Sequence, residues 1–323
     1  MQPDKRSRSP ISNVNTKTRK RYTILAIVAA AALGWGSFLK FGLPLLVPAF
    51  SPAKAETTGE LKSAIAQTNE PDYQTYELED ATVHVVKLPA GTPLSIAVAD
   101  DLTTVENFAK QEDALAVLNG GFFDPQNGKT TSHLTLQGQT VGDPADNERL
   151  VKNPDLAPYM PQILNRSEFR AYSCQADSTV VKYDIVLHDA AVPGGCTTQT
   201  AIGAGPQLLP ADTSYEEGFT DYKNGERVRD AIGSAGPNAR SAIALTANDA
   251  IMLIMVAQRP NASGLTLSKV AEFAASRGAV KLLNLDGGSS SALYYNGQIH
   301  LGRLDADGNS IERPVKSVII VGR

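Results

Sequence analysis

The sequence predicts an α+β fold in a single domain, with mixed, largely antiparallel sheets, a few helices and long irregular insertions. Three observations lead there. Short segments of alternating apolar and polar residues follow one another with turn residues between them, as in Thr82–Val86 and Leu94–Ala99. Two apolar runs, Ala239–Leu245 and Ile251–Ala257, flank Asn248-Asp249 and read as a buried antiparallel pair. Residues 143–172 and 211–239 are polar and lack any period, which marks them as excursions. At 323 residues and 42% hydrophobic content, the chain has ample material for a core.

Residues 1–55 stand apart. Seven basic side chains lie between positions 1 and 21 against the single acid Asp4, and Thr23–Leu39 is uncharged and mostly apolar. That is the charge and hydropathy profile of an export signal, and Ala53-Lys54-Ala55 offers a small-x-small cleavage site. The alternative is an uncleaved signal anchor within residues 23–50, because Thr23–Leu39 is close to the length that spans a bilayer. In either case the rest of the chain is expected in the periplasm or outside the cell, touching a membrane only through its N-terminal segment. Residues 56–72 read as a linker or loosely held helix, and 73–323 as the domain itself.

Charge takes on a different meaning once the leader is set aside. Residues 1–55 hold nine of the 30 basic and one of the 34 acidic side chains, so the remainder carries 21 against 33, a net charge of −12. Such a body is a poor partner for nucleic acid, and an anionic substrate would have to be met by a local Arg or Lys. The two cysteines, Cys174 and Cys196, suit an oxidising compartment and could form one disulfide; spacing alone leaves two free thiols open. The sequence carries no signal for an oligomeric state.

From Tyr73 the elements follow in order. Tyr76–Leu78, Thr82–Val86 and Leu94–Ala99 are strands with one wet face, and His84 on the second of them reads as structural. Thr103 or Thr104 caps a helix running to about Gln111. The apolar strand that follows breaks into Asn119-Gly120-Gly121-Phe122-Phe123-Asp124. Residues 132–139 suggest a strand pair after a turn at Asn127-Gly128, with His133 a candidate for a pocket rim though a structural role is the commoner one. Beyond the first excursion come strands at Thr179–Val186 and Gly203–Leu209. Arg240 stands at the mouth of a buried strand and needs either a carboxylate or a bound anion as partner. A helix over 265–277, capped near Thr266 or Ser268 and stopped at Gly278, leads into a second apolar strand. That strand breaks into Asp286-Gly287-Gly288-Ser289-Ser290-Ser291. Tyr294–Ile299 is a hairpin turned at Asn296-Gly297, and Val315–Val321 closes the chain.

The two strands that end in paired glycines each follow an amphipathic segment with Val-x-x-Phe-Ala, a weak internal echo that delivers Asn119 and Asp286 to strand ends. Paired glycines let the chain turn sharply and let another group approach the backbone, and the amides and hydroxyls after them can donate to an anion. A lone Asp-Gly-Gly is more often an ordinary turn; two such stretches in one chain point to a site.

Taken together, Asn119–Asp124, Gly203–Leu209, Arg240–Ala244, Ser263–Leu267 and Asn284–Ser291 resemble, in order and spacing, the motif series of the phosphodiester glycosidase family. The resemblance spans roughly residues 75–323, with one departure at Ala244, where many relatives have glycine. It implies hydrolysis of the glycosidic bond of sugar-1-phosphodiesters, such as N-acetylglucosamine-1-phosphodiesters in envelope or extracellular glycans. On this view Asp286 is nucleophile or base, Asp124 the second carboxylate, and Asn119 orients the substrate or Asp286. Arg240 would bind phosphate with the help of Gly287, Gly288, Ser289 and Ser290, and with Gly120, Gly121 and His133 on the rim. No cofactor is implied. Asp124, Asp286 and Asn119 could instead gather a cation such as Ca²⁺, but no acidic loop with regular ligand spacing supports that. Two other classes fit the same residues: a glycan-binding or exopolysaccharide-assembly module that does not turn over, and a surface scaffold working through the two excursions.

Overall fold

The structure, a computed structural model, describes residues 70–175 and 177–323. The expected export signal or anchor at 1–55, its cleavage site and most of the linker at 56–72 lie outside the described residues. Among the described residues no helix is long and apolar enough to cross a membrane.

Segments rich in β-branched and apolar residues form strands, and turn residues end them. Six strands make the first sheet, in the order Asp72–Glu77, Thr82–Leu88, Ile251–Ala257, Arg240–Thr246, Ala279–Asn284 and Gln207–Leu209. The second has five: Gln298–Leu301, Ala292–Tyr295, Ala114–Asn119, Val315–Gly322 and Leu94–Thr103. The third also has five: Gln139–Gly142, Leu134–Leu136, Cys196–Gly203, Ser167–Cys174 and Asp177–Leu187. The α+β class holds, and every pairing among these strands is antiparallel.

All three sheets turn a face to one apolar core. Ile243, Leu253 and Leu283 reach it from the first sheet, Leu118, Leu293 and Ile319 from the second, and Leu134, Phe169 and Ile202 from the third. The other face of the first sheet, with Ala242, Ala244, Met252, Ile254 and Leu282, is covered by the helix Leu267–Ser276 through Val270, Phe273 and Ala274. This double burial explains why Ile251–Ala257 shows no alternation: both of its faces leave water, at about 1.5–3 kcal/mol for each large side chain. Ala244 packs in the helix-facing layer, opposite Met252 and Leu282, and so lies on the side of the sheet away from the three-sheet core. A second helix, Val105–Gln111, places Val105, Phe108 and Ala109 on the outer face of the second sheet.

Two segments differ from expectation. The excursion over 143–172 is built from short helical turns only as far as Ile163; Ser167–Cys174 is then a buried strand in the interior of its sheet. Its apolar pattern is broken by Glu168 and Arg170, which pair with each other inside the protein. Residues 211–239 hold a ribbon, Thr220–Lys223 with Glu226–Asp230, whose polar strands carry little hydrophobic signal. Cys174 and Cys196 face each other across paired strands and are joined by a disulfide.

Candidate functional site

The two glycine-pair strands belong to different sheets, and their ends meet. Each is delivered by a capped helix: Thr104 Oγ1 accepts from the Asn107 amide, and Thr266 Oγ1 from the Lys269 amide, the first of the two possible caps expected there. Asn119, wholly buried, forms the junction. Its Nδ2 donates to the Asp286 carbonyl at 2.7 Å, and its Oδ1 accepts from Ser241 Oγ at 2.6 Å and the Ala292 amide at 3.1 Å. Backbone bonds complete the knot: Asp286 N to Gly120 O at 3.0 Å, Leu285 N to Ser241 O at 2.8 Å, and Gly288 N to Ala239 O at 2.8 Å. Residues 119–120, 239–241 and 285–288 therefore share one corner of the molecule.

At that corner the chain turns through Asp286 and Gly287 into a short 3₁₀ turn, Gly288–Ser290. Gly288 has φ +62°, which a side chain would strain. Loss of water pushes the Asp286 carboxyl up to about 6, against the pull of the Ser290 hydroxyl, the Arg313 charge and the Gly287 amide. Such a group is ionised at neutral pH yet more basic than a free aspartate. Among the described residues Asn284 Oδ1 and Ser291 Oγ are buried without a hydrogen-bond partner. Unsatisfied buried polar atoms close to Asp286 in the chain, before and after it, suit a place where water or a ligand supplies the missing bonds.

Several expected site residues have partners inside the protein. Arg240 is 2% exposed, and it binds neither a carboxylate nor open solvent. Its Nε donates to Leu265 O at 3.3 Å, Nη1 to Ile232 O at 3.1 Å, and Nη2 to Gly233 O at 2.6 Å and Gly236 O at 2.9 Å. Burial lowers its pKa to about 10, so it stays charged and fastens the 232–236 loop beside the site. Gly120 and Gly121 are packing glycines: a Cβ on Gly121 would lie 2.2 Å from Gly203 O, and one on Gly120 2.6 Å from Ile202 Cδ1. Asp124 closes a turn by accepting from the Gln126 amide at 2.8 Å and pairs with Arg149 at 2.7 Å. Asp124 is thus paired with Arg149 and Asn119 holds three partners, and among the described residues no group of three or more His, Cys, Asp or Glu side chains could hold a metal.

His133 is likewise held by internal contacts. Its Nε2 bonds Leu164 O at 2.9 Å, its ring stacks on His188 with centroids 3.5 Å apart, and burial first of all holds its pKa below the usual value. Asn119 touches Asp286 through the Asp286 backbone carbonyl. Two arginines that sequence reasoning did not single out do reach the turn: Arg313 Nη1 donates to Ser289 Oγ at 3.1 Å, and Arg303 Nη1 to Asn238 Oδ1 at 3.2 Å beside Gly288. They lie in a loop with no period or motif, and only the fold brings them to the site.

The chain resembles known proteins in sequence and in fold. Residues 112–322 match the model of the phosphodiester glycosidase family. Among solved structures, the chain is similar to the catalytic domain of zebrafish N-acetylglucosamine-1-phosphodiester alpha-N-acetylglucosaminidase, auto-inhibited by its pro-peptide. That likeness has a TM-score of 0.55 at 17% identity, over 79% of this chain and 83% of that one. It is also similar to a hypothetical protein from Synechocystis, with a TM-score of 0.50 at 16% identity, over 77% of this chain and 61% of that one. At such identities the likeness speaks for the fold. No curated protein sequence matches the chain. Since the family model covers most of the chain, including both glycine-pair strands and the turn that carries Asp286, this protein belongs to the phosphodiester glycosidase family.

Proposed function

We propose that the chain is an exported hydrolase that cleaves the glycosidic bond of sugar-1-phosphodiesters, N-acetylglucosamine-1-phosphodiesters among them, in envelope or extracellular glycans. The observation that carries this reading is Asp286: a carboxylate of raised basicity, fixed through its backbone by Asn119 and flanked by unsatisfied buried polar groups. In the reaction the bond between the anomeric carbon and the bridging oxygen breaks, and its electron pair leaves with the phosphate monoester. Water supplies the hydroxyl. Asp286 either takes the proton of that water or first bonds the anomeric carbon itself. A phosphate monoester leaves as an anion and needs no proton, so the capture of Asp124 by Arg149 removes nothing the chemistry requires.

The test is to incubate the purified full-length protein with a panel of N-acetylglucosamine-1-phosphodiesters and nucleotide diphosphate sugars and to measure free reducing sugar. Wild type is expected to release sugar, and Asp286→Asn to lower the rate by at least about 100-fold, the scale on which acid–base groups act. No release from any member of the panel sinks the proposal, and saturable binding without turnover would favour a glycan-binding module instead.

A further inference from the structure

We infer that Arg303 and Arg313 form the recognition site for the anionic half of the substrate, gripping the phosphate oxygens from the loop that joins the strands Gln298–Leu301 and Val315–Gly322. The inference rests on the reading of Asp286 as the group that acts on the sugar carbon, and it moves phosphate binding from Arg240 to a different pair.

The loop is a folded-back arm. Arg303 O accepts from Ile311 N at 2.8 Å, Leu304 and Ser310 are bridged, and Asp305 holds the tip by accepting from the Asp307 and Asn309 amides at 2.9 and 2.8 Å. Its two ends thus present their guanidiniums to the same 288–289 turn. Arg303 Nη1 lies 3.6 Å from where a Cβ on Gly288 would stand, so this guanidinium rests in van der Waals reach of the turn. Arg313 bonds Ser289 Oγ and sits 5.0 Å from the centroid of Phe123, whose ring limits its orientation.

What marks the pair is its place together with its partners. Among the described residues Arg149, Arg170, Arg227, Arg259 and Arg323 each pair with a carboxylate; Arg303 and Arg313, like Arg166, Arg229 and Arg277, do not, and they are the two of these five that reach the Gly288-Ser289 turn, with neutral hydrogen-bond partners. Unlike Arg240, which spends its donors on four carbonyls, each gives one hydrogen bond of the five a guanidinium can make. Two partly exposed forks of unspent donors match the oxygens of a phosphodiester, which accept hydrogen bonds in pairs. An anion held there would sit within the field that Arg313 already exerts on Asp286.

The experiment uses the full-length protein, wild type and with Arg303→Gln or Arg313→Gln, and two readouts. Binding of inorganic phosphate and of dimethyl phosphate is measured by calorimetry, which needs no turnover. The ratio of kcat/KM on an N-acetylglucosamine-1-phosphodiester to that on a neutral aryl N-acetylglucosaminide is measured alongside. Each variant is expected to weaken phosphate binding roughly 10- to 100-fold, as loss of charged hydrogen bonds does, and to lower the ratio at least about tenfold. Arg303→Lys and Arg313→Lys, which keep the charge and lose the fork, are expected to fall between, and they carry the test should a glutamine variant unfold.

Phosphate binding unchanged in the variants, no phosphate binding by wild type, or equal losses on both substrates would overturn the assignment. Loss of phosphate binding with no sugar released from any substrate would uphold the arginine site while the hydrolase reading fails. Normal phosphodiester cleavage by the variants would do the reverse.

Discussion

Replacing Asp286 with asparagine should make the protein more stable at neutral pH while lowering the proposed sugar release at least about 100-fold. In the folded chain the carboxyl has its pKa raised from 3.8 to about 6 by loss of water, so the folded state holds its proton more tightly than the unfolded state. The sign follows from linkage. Between those two values unfolding releases a proton, and stability falls as pH rises through the window. Above it the full penalty is present: two units at 1.36 kcal/mol each is about 3 kcal/mol, an upper figure because the carboxyl is only partly covered. Asparagine keeps the shape and carries no charge, so it removes the pH-dependent part. Urea unfolding of wild type and Asp286→Asn at pH 3.5 and pH 8 is the assay. The stability difference should shift by about 1–3 kcal/mol in favour of the variant on going to pH 8. A difference that is the same at both pH values, or one that favours wild type at pH 8, would refute the reasoning.

Arg240→Lys should lower stability by about 2–4 kcal/mol, seen as a shift in the urea midpoint, because an ammonium cannot serve the four carbonyls of Ile232, Gly233, Gly236 and Leu265 from one fork. A lysine variant of unchanged stability that had lost phosphate affinity would return Arg240 to the substrate. Gly121→Ala should cost about 3 kcal/mol or more, measured the same way, since its methyl would lie 2.2 Å from the backbone oxygen of Gly203 and 3.0 Å from the Ser132 side chain. Wild-type stability in that variant would mean that the contact between the two strands is looser than described.

Local signals carried much of the fold. Alternating strands, the Asn248-Asp249 and Asn296-Gly297 turns and the two threonine-capped helices depend on residues a few positions apart, so a single segment holds all the information they need. Ser167–Cys174 escaped because its apolar pattern is interrupted by Glu168 and Arg170, whose charges are tolerable inside only because they find each other. The ribbon over 220–230 escaped because its side chains face mostly water.

The site divides along the same line. That two glycine-pair strands end in polar residues is written in the sequence, as is the preparation of Asp286 at the end of a buried strand, since an apolar run broken by a carboxylate and two glycines is a local event. Which arginine faces an anion is not. Arg240 carries the family's motif yet spends its donors on backbone carbonyls 4 to 25 residues away, whereas Arg303 and Arg313 carry no motif and stand at the turn. A guanidinium's role is set by the acceptors that surround it in space, and those come from the loops over 232–238, 265 and 287–289, which only the tertiary structure brings together.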